Sequence, residues 1–181
     1  MIKKEKSLRL EKFIMKSKLS QSTIYTVIAI VIIVILFYSS SKTYTQQSSV
    51  PLLQKWLASE PFASKLQNVV FHYGGSEVSI QAMGYFKFVE FFIRKAAHFL
   101  TFFILGGSLF LVLHSKLKQS LWSLFFAWFS ATGYAAMDEF HQMLTGDRTP
   151  LFQDVMLDSI GALTACVMLV IYFEFGRKKS K

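Results

Sequence analysis

The chain has 181 residues, 52% of them hydrophobic and only 17% charged, with a formal net charge of +9. The apolar residues gather in blocks long enough to cross about 30 Å of hydrocarbon at about 1.5 Å per helical residue, which excludes an ordinary soluble domain. The single cysteine, Cys166, excludes an intrachain disulfide and a cysteine metal site, and the excess of Lys and Arg reads as a topology signal rather than a nucleic-acid footprint.

Residues 1–22 form a polar, basic N-terminal segment carrying Lys3, Lys4, Lys6, Arg9, Lys12, Lys16 and Lys18. The first apolar block follows at 23–38. A basic head before a short apolar run also describes a secretory signal; the block is taken as a retained anchor.

Residues 39–85 make the one long loop. Ser39 to Ser49, rich in Ser, Thr and Gln, reads as a linker. After Pro51, Leu52, Leu53, Trp56 and Leu57 share a face at helical spacing, which predicts a short helix at the lipid interface. Two β-prone runs then flank Gly74-Gly75, a hairpin signal, with His72 as a solvated strand residue.

Three further spans are expected at 86–113, 121–136 and 155–175, with an outer loop at 137–154 and a basic tail at 176–181. The resulting fold class is an all-α membrane protein, a bundle of four transmembrane helices with one loop region holding the short helix and the hairpin. Segments 1–22, 114–120 and 176–181 hold 13 of the 20 Lys and Arg residues. Positive residues favour the cytoplasmic side, so both termini are expected there, in a multi-pass membrane protein. An even number of crossings agrees with that placement.

Ionisable groups in or beside membrane spans are costly unless paired or wetted, so they mark a candidate site. The first group is Glu90, Arg94, Lys95 and His98. Glu90, Arg94 and His98 recur every four residues on one helix face, with Glu90 and Arg94 in the favourable order for an ion pair. The second is Asp138, Glu139, His141 and Gln142. The third is Arg148, Asp154 and Asp158, with Asp158 about one turn inside the span. Gly146 and Pro150 place a turn before the last span, and Gly161 is suited to close helix approach. All three groups sit at helix ends that the topology brings to the extracytoplasmic side, where acids and bases can neutralise one another.

Glu90-Phe-Phe-Ile-Arg-Lys-Ala-Ala-His98, Asp138-Glu-Phe-His-Gln142, Arg148 and Asp154 through Gly161 together resemble the VanZ-like family of bacterial membrane proteins, over roughly residues 69–173. The resemblance implies a four-helix membrane protein associated with low-level resistance to glycopeptide antibiotics, teicoplanin above all. Asp158 departs from the pattern, which has Asn there.

Three functions fit these residues. In the first, a non-enzymatic envelope protein uses Arg94, Lys95 and Arg148 to hold the phosphate or carboxylate of an anionic lipid, a lipid-linked precursor or the glycopeptide itself. In the second, His98, Asp138, Glu139, His141, Asp154 and Asp158 hold a divalent cation in an enzyme acting on a lipid phosphate. In the third, the chain is a small lipid transporter, disfavoured because the cytoplasmic half carries almost no intramembrane polarity. No cofactor and no nucleic-acid partner is expected.

Overall fold

The structure, a computed structural model, describes residues 2–145 and 149–176, with side chains from residue 21 onward. Four long helices pack together: α1 (Ile2–Ser40), α6 (Tyr85–Leu117), α7 (Ser120–Leu144) and α8 (Phe152–Phe175). Between α1 and α6 come α2 (Tyr44–Gln47), α3 (Val50–Trp56), α4 (Ala63–Leu66), the strands β1 (Phe71–Tyr73) and β2 (Ser76–Val78), and α5 (Ile80–Met83). Helices α6, α7 and α8 each contact the other two, and α1 lies against α6 and α7.

Among the described residues, three helical segments are long and apolar enough to cross a membrane: Gln21–Ser40 of α1, α6 and α8. The fourth expected span, 121–136, lies within α7. That helix is long enough, but Ser, Thr, Trp and Tyr dilute its apolar content, and it falls outside that group. Apolarity all round is not required of a helix whose inner face packs on protein rather than lipid.

The packing is built on small residues. Ala127, Ala131 and Ala135 recur every four residues on α7 and are fully buried. They face Phe102, Leu105 and Phe110 of α6 and Ala162 and Cys166 of α8. Lipid tails are as apolar as these side chains, so association depends on close van der Waals packing rather than on burial from water. A β-carbon placed on Gly161 would lie 2.5 Å from the Phe99 carbonyl oxygen, and one on Gly106 would lie 2.7 Å from Ala162 Cα. Those two glycines set the α6–α8 separation, as expected for Gly161.

Helix α1 belongs to the same core through Ala29 and Leu36. Its backbone is tied to α7, because Tyr134 Oη donates to the Ile33 carbonyl at 3.0 Å and Thr145 Oγ1 donates to the Ser40 carbonyl at 3.1 Å. The basic segment 1–22 continues into the span as one helix of 39 residues.

The loop region holds both expected elements. The strands pair antiparallel with Phe71 opposite Val78 and Tyr73 opposite Ser76. Gly74 and Gly75 both take positive φ, 59° and 82°, the conformation that tight hairpin turns demand and glycine supplies freely. His72 is exposed, as expected. Helix α3 starts with Pro51 in its first turn, buries Leu53 and leaves Trp56 72% exposed. The stretch Ser39–Ser49, expected to be a linker, instead contains α2. Thr43 and Gln46 form a capping box there, and a buried acid described below orders the following serines.

Helices α6 and α7 are separated only by Lys118 and Gln119, which gives the tight antiparallel hairpin that the spacing predicts. Helix α7 extends past the expected end at Ala136 through the whole polar run to Leu144. Gly146, Asp147 and Arg148, and residues 177–181 of the basic tail, lie outside the described residues.

Candidate functional site

Members of the three polar groups extend the three packing stripes. On α7 the buried series Ala127, Ala131, Ala135 continues directly into Asp138 and Gln142. On α8 the inward face runs from Cys166 through Ala162 to Asp158, and on α6 from Leu105 through Phe102 to His98 and Arg94. The bundle core therefore changes from apolar to ionisable along its axis, and these side chains meet one another instead of lipid.

They enclose a small cavity of about 30 Å³, lined by Arg94, Lys95 and His98 of α6, Glu139 and Gln142 of α7, and Asp154, Leu157 and Asp158 of α8. That space holds roughly two water molecules. Seven of the eleven residues singled out in the sequence line it.

Each base has a different environment. Lys95 Nζ donates to Asp154 Oδ1 and sits over the rings of Tyr73 and Phe91, 4.6 and 5.3 Å from their centroids. His98 Nδ1 lies 3.3 Å from Asp158 Oδ2. Arg94 places its guanidinium 4.8 Å from the centre of the Tyr44 ring, and its buried Nη1 has no hydrogen-bond partner among the described residues. The same holds for Oδ1 of Asp158, a residue only 4% exposed.

The acids are held from several directions. Glu139 Oε1 accepts the backbone N–H of Leu151 at 2.7 Å, which ties the end of α7 to the start of α8. Asp138 stands behind the cavity wall, where it accepts from Ser40 Oγ at 2.5 Å and from Gln142 Nε2 at 2.8 Å.

Two expectations change. Glu90 does not pair with Arg94. It is 1% exposed and accepts from Tyr44 Oη at 2.8 Å, Ser48 Oγ at 3.0 Å, Ser49 Oγ at 3.1 Å and the Ser49 backbone N–H. Four donors from the loop outweigh one neighbour on the same helix, and Tyr44 links the two groups by its ring and its hydroxyl. His141 does not join the cavity but stacks on Phe37 of α1, with ring centroids 4.7 Å apart. At about 100° per residue, His141 points about 160° away from Glu139, so only one of the pair can face inward. Arg148 lies outside the described residues.

Sequence reasoning missed Tyr73 and Ser40. Tyr73 Oη donates to Asp154 Oδ1 at 2.5 Å, so the hairpin closes over the site. Burial and the Asp154 carboxylate push the Tyr73 phenol above its ordinary pKa, which keeps it protonated and donating. Gly74 presses on Leu151, where an added β-carbon would lie 2.7 Å from the side chain. Strand alternation puts Phe71 and Tyr73 on one face, but nothing local links that face to Asp154, 81 residues on. A second missed feature is deeper: Trp128 Nε1 donates to Ser159 Oγ at 2.9 Å, and Thr132 shares a 2.8 Å hydrogen bond with the same oxygen.

Among the described residues, no group of three or more His, Cys, Asp and Glu side chains is arranged to hold a metal ion. Asp154 is engaged by Lys95 and Tyr73, and Asp158 by His98, which leaves no cluster of uncommitted ligands.

No curated protein and no solved structure matches the chain. The VanZ/LLP1 family model matches residues 25–173, beginning inside α1 and so reaching well upstream of residues 69–173, over which the motifs alone carry the resemblance. With most of its length covered, and Lys95, His98, Glu139, Gln142 and Asp154 of that resemblance around one cavity, the chain is a membrane protein of the VanZ/LLP1 family.

Proposed function

We propose that this protein crosses the bacterial cell membrane four times with both termini in the cytoplasm, and that its outward-facing cavity binds the anionic group of an envelope lipid, a lipid-linked precursor or a glycopeptide. Through that binding it contributes to low-level glycopeptide resistance, teicoplanin above all. The observation that carries this reading is the buried Nη1 of Arg94, without a hydrogen-bond partner among the described residues, at a cavity between α6, α7 and α8. A guanidinium is an apt donor for phosphate or carboxylate oxygens.

Several features support the topology. Helix α7 has 25 residues, about 37 Å of helix, and its exposed face carries Trp122, Phe125, Phe126 and Phe129 toward the surroundings. The excess of Lys and Arg in 1–22, 114–120 and 176–181 favours the cytoplasm for those segments. The bonds from α1 to Asp138, Tyr134 and Thr145 favour its retention as an anchor. The deeper Trp128–Ser159–Thr132 set satisfies itself and supports packing rather than a transport path.

The test is expression in a teicoplanin-sensitive bacterium. The intact chain is expected to raise the inhibitory concentration severalfold, and Arg94→Ala, at equal membrane abundance, to abolish the rise. Equal susceptibility with and without the intact chain would sink the reading.

A further inference from the structure

The cavity leaves two buried atoms without partners among the described residues, and they are of opposite kind. Arg94 Nη1 is a cationic donor and Asp158 Oδ1 an anionic acceptor. An unmet donor or acceptor buried in a protein is penalised far more than a made bond is rewarded, so the pair defines what an occupant must bring. A simple anion would meet Arg94 but stand beside the bare oxygen of Asp158. A simple cation would meet Asp158 but stand beside Arg94.

The charge balance points the same way. Arg94 and Lys95 face Glu139, Asp154 and Asp158 across the cavity, with His98 against Asp158 as a third base. Such a set is close to neutral and rewards an occupant that is itself neutral overall but carries separated charges. Size adds a further limit. A cavity of about 30 Å³ admits a water-sized group such as a primary ammonium, not a whole headgroup.

Resting on the anion-binding reading of the same site, we infer that the ligand is zwitterionic. A primary ammonium enters the cavity and donates to Asp158 Oδ1, while a phosphoryl oxygen at the mouth accepts from Arg94. A phosphoethanolamine diester has this chemistry, as a lipid headgroup or as soluble glycerophosphoethanolamine.

The test uses the purified full-length chain in detergent, with binding read by native mass spectrometry. The probes are phosphatidylethanolamine, phosphatidylcholine, whose ammonium has no N–H, phosphatidylglycerol, which has no ammonium, and soluble glycerophosphoethanolamine as competitor. Phosphatidylethanolamine is expected to bind about tenfold or more tighter than the other two lipids, the worth of one charge-assisted hydrogen bond. Asp158→Asn is expected to erase that preference and leave phosphatidylglycerol binding in place, whereas Arg94→Gln weakens both. Competition by soluble glycerophosphoethanolamine would show that the headgroup alone is recognised; its failure beside tight lipid binding would make the lipid the ligand, and both outcomes fit the inference. Phosphatidylglycerol binding as tightly as phosphatidylethanolamine, with both sensitive to Arg94→Gln, overturns the zwitterion and leaves the anion reading standing. Equal binding of all three lipids that ignores Arg94→Gln overturns both. The comparison of lipids on the unaltered chain needs no variant to fold.

Discussion

Asp154 receives two donors on one oxygen, Lys95 from α6 and Tyr73 from the hairpin. A single carboxylate thus joins two helices and a loop that the sequence keeps far apart. Removing only the phenol hydroxyl isolates the loop's share. Tyr73→Phe keeps the ring contacts with Lys95 and Phe91. It is expected to lower unfolding stability in detergent by about 1–2 kcal/mol, as for the loss of a hydrogen bond to a charged acceptor. An unchanged unfolding midpoint would show that the hairpin is held by its apolar contacts alone. Arg94 is the opposite case. Its Nη1 has no partner among the described residues to lose, so Arg94→Ala is expected to affect teicoplanin susceptibility far more than folding.

At the scale of elements, the α6–α8 contact is set by absent side chains. Gly161→Ala drives a methyl group into the Phe99 carbonyl, which belongs to helix backbone and cannot swing aside. Overpacking of this kind costs about 1–3 kcal/mol. The change would also shift Asp158, one turn away, and open the cavity. Gly133→Ala on α7 is the control, because an added β-carbon there meets nothing within 4 Å. Alanine is the better helix former by roughly 0.5–1 kcal/mol, so that variant is expected to be neutral or slightly more stable. Thermal unfolding of both purified variants checks the contrast, and equal effects would mean that α6 and α8 do not meet as closely as described.

For the whole molecule, the decisive quantity is which side of the membrane each connection occupies. His72 is exposed on the hairpin and Lys116 is exposed at the end of α6, while Cys166 is buried. In intact cells a membrane-impermeant maleimide is expected to label His72→Cys, to label Lys116→Cys only after permeabilisation, and to leave the unsubstituted chain unlabelled. Labelling of Lys116→Cys from outside would reverse the topology and with it the extracytoplasmic site. The same preparations report whether α1 is kept. Its bonds to α7 predict a mature chain that keeps α1 and is not cut after Ser41.

The sequence by itself determined the membrane class, the apolar segments, the Gly-Gly hairpin, the family and most of the residues around the cavity. Each of these rests on something local: a run length, a turn that needs two positive φ angles, or ionisable groups that are costly in lipid. Helical spacing also selected a face, which is why Arg94 and His98 both line the cavity. Only the tertiary structure decided which neighbours those faces meet. It turned Glu90 away from Arg94 because four loop donors were better placed, and it turned His141 toward α1 because the opposite side of α7 held the cavity. It brought in Tyr73 and Ser40, whose partners lie 81 and 98 residues away. Pairings of that kind depend on how three helices and a hairpin pack, and no local pattern encodes them.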